Sequence, residues 1–154
     1  MELFRTIASN YVLTLCGLSW IAAQVMKFVI NYIFARKFKF ERLYGSGGMP
    51  SAHTALVTAL VMGVAKVSGL GSTEFVISAV LAAVVIYDSL GVRRAAGEHA
   101  RVLNKIMDKR DYPPPENAET DVVQKQLKEL LGHTPMEVLG GAMLGIIISM
   151  MYRY

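Results

Sequence analysis

The sequence predicts an all-α protein: an integral membrane helical bundle of about four transmembrane helices with short amphipathic helices on the cytoplasmic side. Two observations predict this class. Hydrophobic residues make up 53% of the 154-residue chain and charged residues only 18%, whereas soluble domains average about 45–50% and about 25%. Most of the apolar residues fall in four long segments separated by polar stretches.

Each apolar segment is predicted to form one helix, over residues 11–35, 52–70, 73–90 and 135–152. A spanning helix needs about 20 residues, with a range of about 17–25. The last three segments lie near the short end, so a buried soluble bundle is the alternative. None of the four shows the strong amphipathic pattern of a soluble surface helix, which favours the membrane. The first segment lacks the short apolar core and cleavage site of a signal peptide, so we expect it to be retained.

The region between the third and fourth segments has a different composition, because it holds most of the charge. Apolar residues recur at helical spacing over 92–109, which predicts an amphipathic helix. Residues 110–121 are rich in proline and predict a loop, and residues 121–132 predict a second short amphipathic helix ended by Gly132. The chain is therefore expected to be one membrane domain over 1–154 with a charged cytoplasmic loop at about 91–133.

Basic residues are concentrated in the loops that alternating spans would place on one side. The loop after the first segment and the loop after the third segment carry twelve of the sixteen Lys and Arg residues. The other side carries Arg5, Lys66 and Arg153. Excess Lys and Arg in short loops mark the cytoplasmic side, so we expect both termini outside a plasma membrane of the bacterial type. The net charge of +4 comes with no basic stripe interleaved with aromatics, so no nucleic acid partner is expected.

Three polar motifs would meet on this cytoplasmic side. The stretch "GGMPSAHTA" (47–55) begins the second span, "YDSLGVRRAAG" (87–97) ends the third, and "LLGHTPMEVLGG" (130–141) begins the fourth. Two of the three are helix N-termini, where unpaired N–H groups and the helix dipole favour an anion. Nothing in hydropathy requires these motifs to fall on the same side, so the pattern indicates a site.

The first of these motifs supplies main-chain groups that a ligand can approach and the imidazole of His53. Gly47 and Gly48 would let the backbone approach a ligand closely. Pro50 is predicted in the first helical turn, where its missing N–H has no consequence. His53 would then project from that first turn.

The other two motifs supply a second imidazole and positive charge. Thr134 is predicted to cap the fourth span, with His133 just before it. Arg93 and Arg94 carry planar donors suited to phosphate oxygens. Two histidines, two arginines and two helix starts together predict a phosphate site, where one histidine attacks phosphorus and the other protonates the leaving oxygen.

Structural interpretations compete with this one. Thr134 and Glu137 have the spacing of a capping box. His53 alone is typical of a hydrogen-bonded structural histidine. Asp88 is a supporting candidate, but it also fits an ion pair with Arg93 or Arg94, or a cap at the end of the third span.

Polar and small residues inside the spans carry two further hypotheses. Lys27 lies within the first span, where a lysine is costly and usually functional, although near the cytoplasmic end it can also snorkel. Gln24, one turn away, would share its pocket. Gly141 and Gly145 lie four residues apart, which predicts a small-residue packing face, with a subunit contact as an alternative.

The three motifs, in this order, resemble the small divergent branch of the type 2 phosphatidic acid phosphatase superfamily, which is related to acid phosphatases and vanadium-dependent haloperoxidases. The resemblance extends from "AQVMK" (23–27) to "GGAMLG" (140–145). It implies that His133 is the nucleophile, that Glu137 orients it, and that His53 is the general acid.

The resemblance also implies phosphate-binding roles and reveals departures from the family pattern. Ser51 resembles a phosphate-binding hydroxyl, and Lys27 corresponds loosely to the lysine of the first motif. Ala52 stands where the family has glycine, and Glu137 where it has aspartate. Leu127 occupies the position of the third-motif arginine, so our hypothesis is that Arg93 or Arg94 supplies that charge.

These inferences predict a metal-independent phosphatase that hydrolyses a lipid phosphate monoester through a phosphohistidine, with no cofactor. The expected partners are membrane lipid and the phosphorylated lipid substrate, and a homodimer or another homo-oligomer is left open. The alternative is a protein that binds or transports a phosphorylated lipid or anion without hydrolysing it. In a third interpretation the histidines only cap helices in a scaffold.

Overall fold

The computed structural model describes residues 9–35, 48–109 and 132–154, and these ranges are helical without any strand. We label the helices in chain order: α1 Tyr11–Ala35, α2 Ala52–Ser68, α3 Thr73–Leu90, α4 Val92–Lys109 and α5 Pro135–Met151. The all-α prediction is therefore confirmed.

The predicted helix boundaries agree closely with those in the structure, because local signals set most of them. Ser72 caps α3 by accepting the N–H of Phe75. The helix α2 stops at Ser68 rather than at residue 70, because Gly69 takes a positive φ of 83° and ends it. The predicted loop at 110–121 and the predicted helix at 121–132 fall almost wholly outside the described residues.

The distribution of apolar side chains is that of a membrane protein. Large apolar residues point outward, such as Ile33 and Ile77, each 63% exposed, while small residues such as Ala55 and Ala59 are fully buried. A soluble protein of this size exposes few such contiguous apolar faces. The helices α1 and α3 are long and apolar enough to cross a membrane, and α2 and α5 are shorter apolar helices of 17 residues.

The helix α2 is at the centre of the bundle and packs against α1, α3 and α5. Close approach of α5 depends on its two glycines. A Cβ on Gly141 would lie 2.4 Å from the carbonyl oxygen of Ser51, and one on Gly145 would lie 2.7 Å from that of Ala55. The predicted small-residue face therefore contacts α2 of the same chain.

A second set of contacts joins three helices at the far end of α2. The ammonium group of Lys66 donates hydrogen bonds to the backbone carbonyl oxygens of Ser149 and Tyr152. The hydroxyl of Tyr11 donates to the same Tyr152 carbonyl oxygen at 2.7 Å, and the two tyrosine rings stack. This end of the bundle is thus held by contacts that do not involve the polar motifs at the other end.

Candidate functional site

A pocket forms at one end of the bundle. It lies between the start of α2, the end of α3, the start of α4 and the residue that precedes the cap of α5. Its walls come from all four places, so residues far apart in the sequence share it. The residues that line the pocket are His53, Val85, Asp88, Ser89, Arg93 and His133.

The two histidines face each other across this pocket. Their ring centroids are 6.2 Å apart, and the ring planes are tilted by 55°. His133 is only 3% exposed, whereas His53 lies at the exposed edge. A reacting group between the two rings must approach within about 3 Å of each. The distance between the rings allows one phosphoryl group to contact both histidines.

His133 is held in one orientation from two directions. Its ring Nδ1 lies 3.0 Å from Oε2 of Glu137, and its backbone N–H donates to the carbonyl oxygen of Ser89 at 3.0 Å. Because a carboxylate accepts hydrogen bonds, the network assigns the ring proton to Nδ1. The other nitrogen, Nε2, is buried without a hydrogen-bond partner in the described part of the chain, and it presents a lone pair.

The same carboxylate also caps α5. Oε2 of Glu137 accepts the backbone N–H of Thr134 at 3.0 Å, and the hydroxyl of Thr134 accepts the N–H of Glu137 at 3.3 Å. This is a capping box with Pro135 at the first helical position. The structural and functional interpretations of this motif therefore do not exclude each other.

Tight backbone contacts fix the segment that carries His133. Gly132 has a φ of +87°, and a Cβ there would lie 2.4 Å from the backbone nitrogen of Arg94. The N–H of Ser51 donates to the carbonyl oxygen of Glu137 at 2.9 Å. These contacts join the start of α5 to the starts of α4 and α2.

The start of α2 differs in one detail from the sequence-based expectation. The N-cap is Ser51, whose buried hydroxyl accepts the N–H of Thr54 at 3.3 Å and the Thr54 hydroxyl at 3.0 Å. Pro50 therefore precedes the cap, and the prediction that it lies in the first helical turn is wrong, because a serine hydroxyl satisfies an unpaired N–H that proline cannot. His53 is the second residue of the helix, in the first turn as expected.

The two arginines have different surroundings. Nε of Arg93 lies 2.5 Å from Oδ2 of Asp88, and both residues line the pocket. Nε of Arg94 lies 3.3 Å from Oε1 of Glu98, one turn along α4, and Arg94 does not line the pocket. Of the two candidates, the geometry brings Arg93 to the histidines.

Lys27 packs against Gly48, just before the start of α2. It is only 4% exposed, and its Cδ would lie 3.4 Å from a Cβ on Gly48, which has a φ of +105°. Lys27 does not line the pocket, but it interacts electrostatically with Glu137 and His53. The positive φ therefore accounts for glycine at position 48, and the lysine stem packs against it.

Two further sequence candidates complete the set. The side-chain oxygen Oε1 of Gln24 is buried without a hydrogen-bond partner among the described residues. Gly47 lies outside the residues that the structure describes, as does Leu127. Within the described ranges no group of three or more His, Cys, Asp or Glu could hold a metal ion.

Sequence reasoning missed two residues of the pocket wall, Val85 and Ser89. Both lie near the end of α3, and Ser89 belongs to one of the polar motifs. Residues three and four positions apart share a helix face, so the spacing of Val85 from Asp88 and Ser89 carries a signal that could have found them.

The fold and the pocket define a small helical membrane protein whose polar site lies at one end of the bundle. Residues 8–148 match the Divergent PAP2 family, and the chain belongs to that family. It is 43% identical over 142 residues to the uncharacterized membrane protein YuiD of Bacillus subtilis (strain 168), and the match covers 87% of this chain and 88% of the relative. No solved structure matches the chain. The family resemblance found in the motifs is thus confirmed.

Proposed function

We propose that this protein is a metal-independent phosphatase that hydrolyses a lipid phosphate monoester at a site facing the cytoplasm. One observation carries the proposal: Nε2 of His133 is buried and unpartnered in the described chain, while Glu137 holds the opposite ring nitrogen. A nucleophile oriented by a carboxylate, with a proton donor nearby, is the recurring arrangement of covalent catalysis.

The first step forms a phosphohistidine. Nε2 of His133 attacks phosphorus and the bond from phosphorus to the lipid oxygen breaks. His53, as an imidazolium, donates its proton to the departing oxygen and gives a neutral lipid alcohol. Glu137 stabilises the positive charge that develops on the attacking ring, because it lies 3.0 Å from Nδ1.

The second step restores the enzyme. Neutral His53 takes a proton from water, and the water oxygen attacks phosphorus as the bond to Nε2 of His133 breaks. Orthophosphate leaves, and both histidines return to their initial protonation states. The exposed position of His53 suits this role, since it allows water to enter.

Positive charge near the histidines supports an anionic ligand. The guanidinium of Arg93 lines the pocket, and it is the best placed group to contact the equatorial oxygens. We propose that Lys27 and the backbone near Gly48 also help to stabilise the negative charge on these oxygens. Ser51 would contribute only after exchanging the hydrogen bond that it makes with Thr54, and Arg94, which does not line the pocket, is given no role.

The substrate is proposed to be a lipid because of where the pocket lies. It lies at one end of helices whose outer faces carry exposed apolar side chains. The helix α4 starts at the pocket and is amphipathic, which suits a position at the level of the lipid headgroups. A phosphate on a lipid would be presented at this level.

The test is release of orthophosphate from a panel of lipid phosphate monoesters by protein purified in detergent. His133→Ala and His53→Ala are expected to lower turnover by about 10²-fold or more, while a cooperative thermal unfolding transition shows that each variant is still folded. His99→Ala is the matched control, because His99 is an exposed histidine on α4 outside the pocket. Mass spectrometry should find a phosphoryl group on His133, and vanadate should inhibit. Equal turnover in all three variants would disprove the mechanism.

A second candidate function is binding or transport of a phosphorylated lipid without hydrolysis. The observation that favours it is Leu127, which stands where the family pattern expects an arginine. In that case the panel would show binding of lipid phosphates without release of orthophosphate.

A further inference from the structure

The pocket contains a carboxylate, although the ligand that we propose for it is an anion. Asp88 lines the same pocket as His53 and His133, and its Oδ2 lies 2.5 Å from Nε of Arg93. The remaining ionisable groups of the pocket wall are two imidazoles and one guanidinium. Asp88 is thus the one acidic group among the residues that line the pocket.

A carboxylate in this position works against phosphate in two ways. It occupies the guanidinium that is best placed to bind the ligand, and its charge repels an oxyanion a few ångströms away. An arginine bound to phosphate makes charge-assisted, frequently bidentate hydrogen bonds, so a phosphate group competes well for the same donors.

The pair is also free to open. The side chains of Asp88 and Arg93 are 40% and 51% exposed, so the carboxylate has room to rotate into solvent. Ion pairs at such exposure contribute little to stability, which makes exchange of one anion for another easy.

We propose that Asp88 is an internal competitor for the anion site. Its carboxylate holds Arg93 while the pocket is empty, and a phosphate group displaces it on binding. When the product leaves, Asp88 returns to Arg93, which favours release of orthophosphate. This inference rests on the proposed function for the identity of the ligand, but it concerns binding rather than turnover.

The opposite role makes the opposite prediction. If Asp88 instead positions Arg93 for the ligand, its removal loosens the guanidinium and weakens binding. If the pair only fastens the junction of α3 and α4 around Gly91, its removal changes thermal stability and leaves affinity unchanged. The sign of the affinity change therefore decides between these roles.

The experiment is equilibrium binding of orthophosphate to the full chain in detergent, measured by isothermal titration calorimetry. Asp88→Asn is expected to lower the dissociation constant by about two- to fivefold, the range that an exposed ion pair supports. Asp88→Ala should also lower the dissociation constant, and because it introduces no amide, the gain cannot then come from a new hydrogen bond of asparagine. The gain should vanish when Asp88→Asn is combined with Arg93→Gln.

The matched control is Glu98→Gln, which removes the carboxylate from the similarly exposed pair with Arg94 outside the pocket. It should leave orthophosphate binding unchanged. Weaker or unchanged binding in both Asp88 variants would overturn the inference, as would a failure of the wild-type chain to bind orthophosphate. Tighter binding by the variants without turnover by the wild-type chain would support the inference and refute the phosphatase proposal.

Discussion

Oε2 of Glu137 and Nδ1 of His133 lie 3.0 Å apart, where the residue just before the cap of α5 meets the first turn of that helix. The same oxygen accepts the N–H of Thr134, so the helix cap holds the carboxylate in place. The carboxylate in turn fixes the ring, whose Nε2 is left buried without a partner among the described residues. A common helix-start motif thus gives an imidazole a defined direction.

Replacing Glu137 with glutamine should separate the cap from the orientation of the ring. A glutamine oxygen can still accept the N–H of Thr134, so we expect the free energy of unfolding to fall by less than about 1 kcal/mol. Its amide cannot supply the charge that stabilises the imidazolium of His133. Turnover of a lipid phosphate should therefore fall on the order of 10²–10⁴-fold, which a phosphate-release assay measures.

Glu74→Gln provides the control, because Glu74 is a carboxylate in the first turn of α3, away from the pocket. It should keep both stability and turnover close to those of the wild-type chain. Unimpaired turnover in the Glu137→Gln variant would mean that the carboxylate serves the helix alone.

Gly132→Ala should displace His133 without changing any chemical group of the pocket. The backbone there has a φ of +87°, and the new Cβ would lie 2.4 Å from the backbone nitrogen of Arg94. Strain and overlap of this kind cost about 1–3 kcal/mol, so we expect a lower melting temperature and weaker orthophosphate binding. Gly71→Ala is the matched substitution, since no atom lies within 4 Å of its Cβ position. If both variants behave alike, the close contact at Gly132 has no influence on the site.

The helices could be predicted from the sequence because their signals are local. Apolar length set α1 and α3, and the threonine and proline that begin α5 marked its start correctly. The one error at a helix start arose where two local signals compete. Pro50 fits a first turn and Ser51 fits a cap, and the hydrogen bonds to Thr54 show which signal wins.

The pocket could be predicted only in part, because its geometry depends on rotation about helices. Arg93 and Arg94 are adjacent, yet only Arg93 lines the pocket, since neighbouring residues point about 100° apart around a helix. The break at Gly91 sets the rotation of α4, and no sequence pattern measures it. The ion pair of Asp88 with Arg93 was one of the alternatives from the sequence, but its position in the pocket depends on the packing of α3 against α4, which no sequence pattern specifies.

Gly141→Ala should test whether close packing of α5 on α2 maintains the site. The added Cβ would lie 2.4 Å from the carbonyl oxygen of Ser51, a backbone atom that cannot move alone. Overpacking costs about 1–3 kcal/mol, and here it would push the N-terminus of α2 away from α5. We expect a lower melting temperature and a loss of orthophosphate affinity, measured on the same sample.

Gly17→Ala is the control for that prediction, because Gly17 is a helical glycine with open space around its Cβ position. It should be neutral or slightly stabilising, since alanine favours the helix over glycine by up to about 1 kcal/mol. Equal melting temperatures for the two variants would show that α5 can shift without consequence.

Lys66→Met should weaken the bundle at the end away from the pocket and leave the site intact. The ammonium group donates to the carbonyl oxygens of Ser149 and Tyr152, which end α5 without another cation in its last turn. Methionine keeps most of the side-chain length but removes the charge, so we expect a loss of about 0.5–1 kcal/mol. Thermal unfolding should show this loss, while orthophosphate affinity stays at the wild-type value, because His53 and Lys66 lie at opposite ends of α2. A large drop in affinity would instead show that the two ends are coupled through α2, and the site would then depend on the whole bundle rather than on its local contacts.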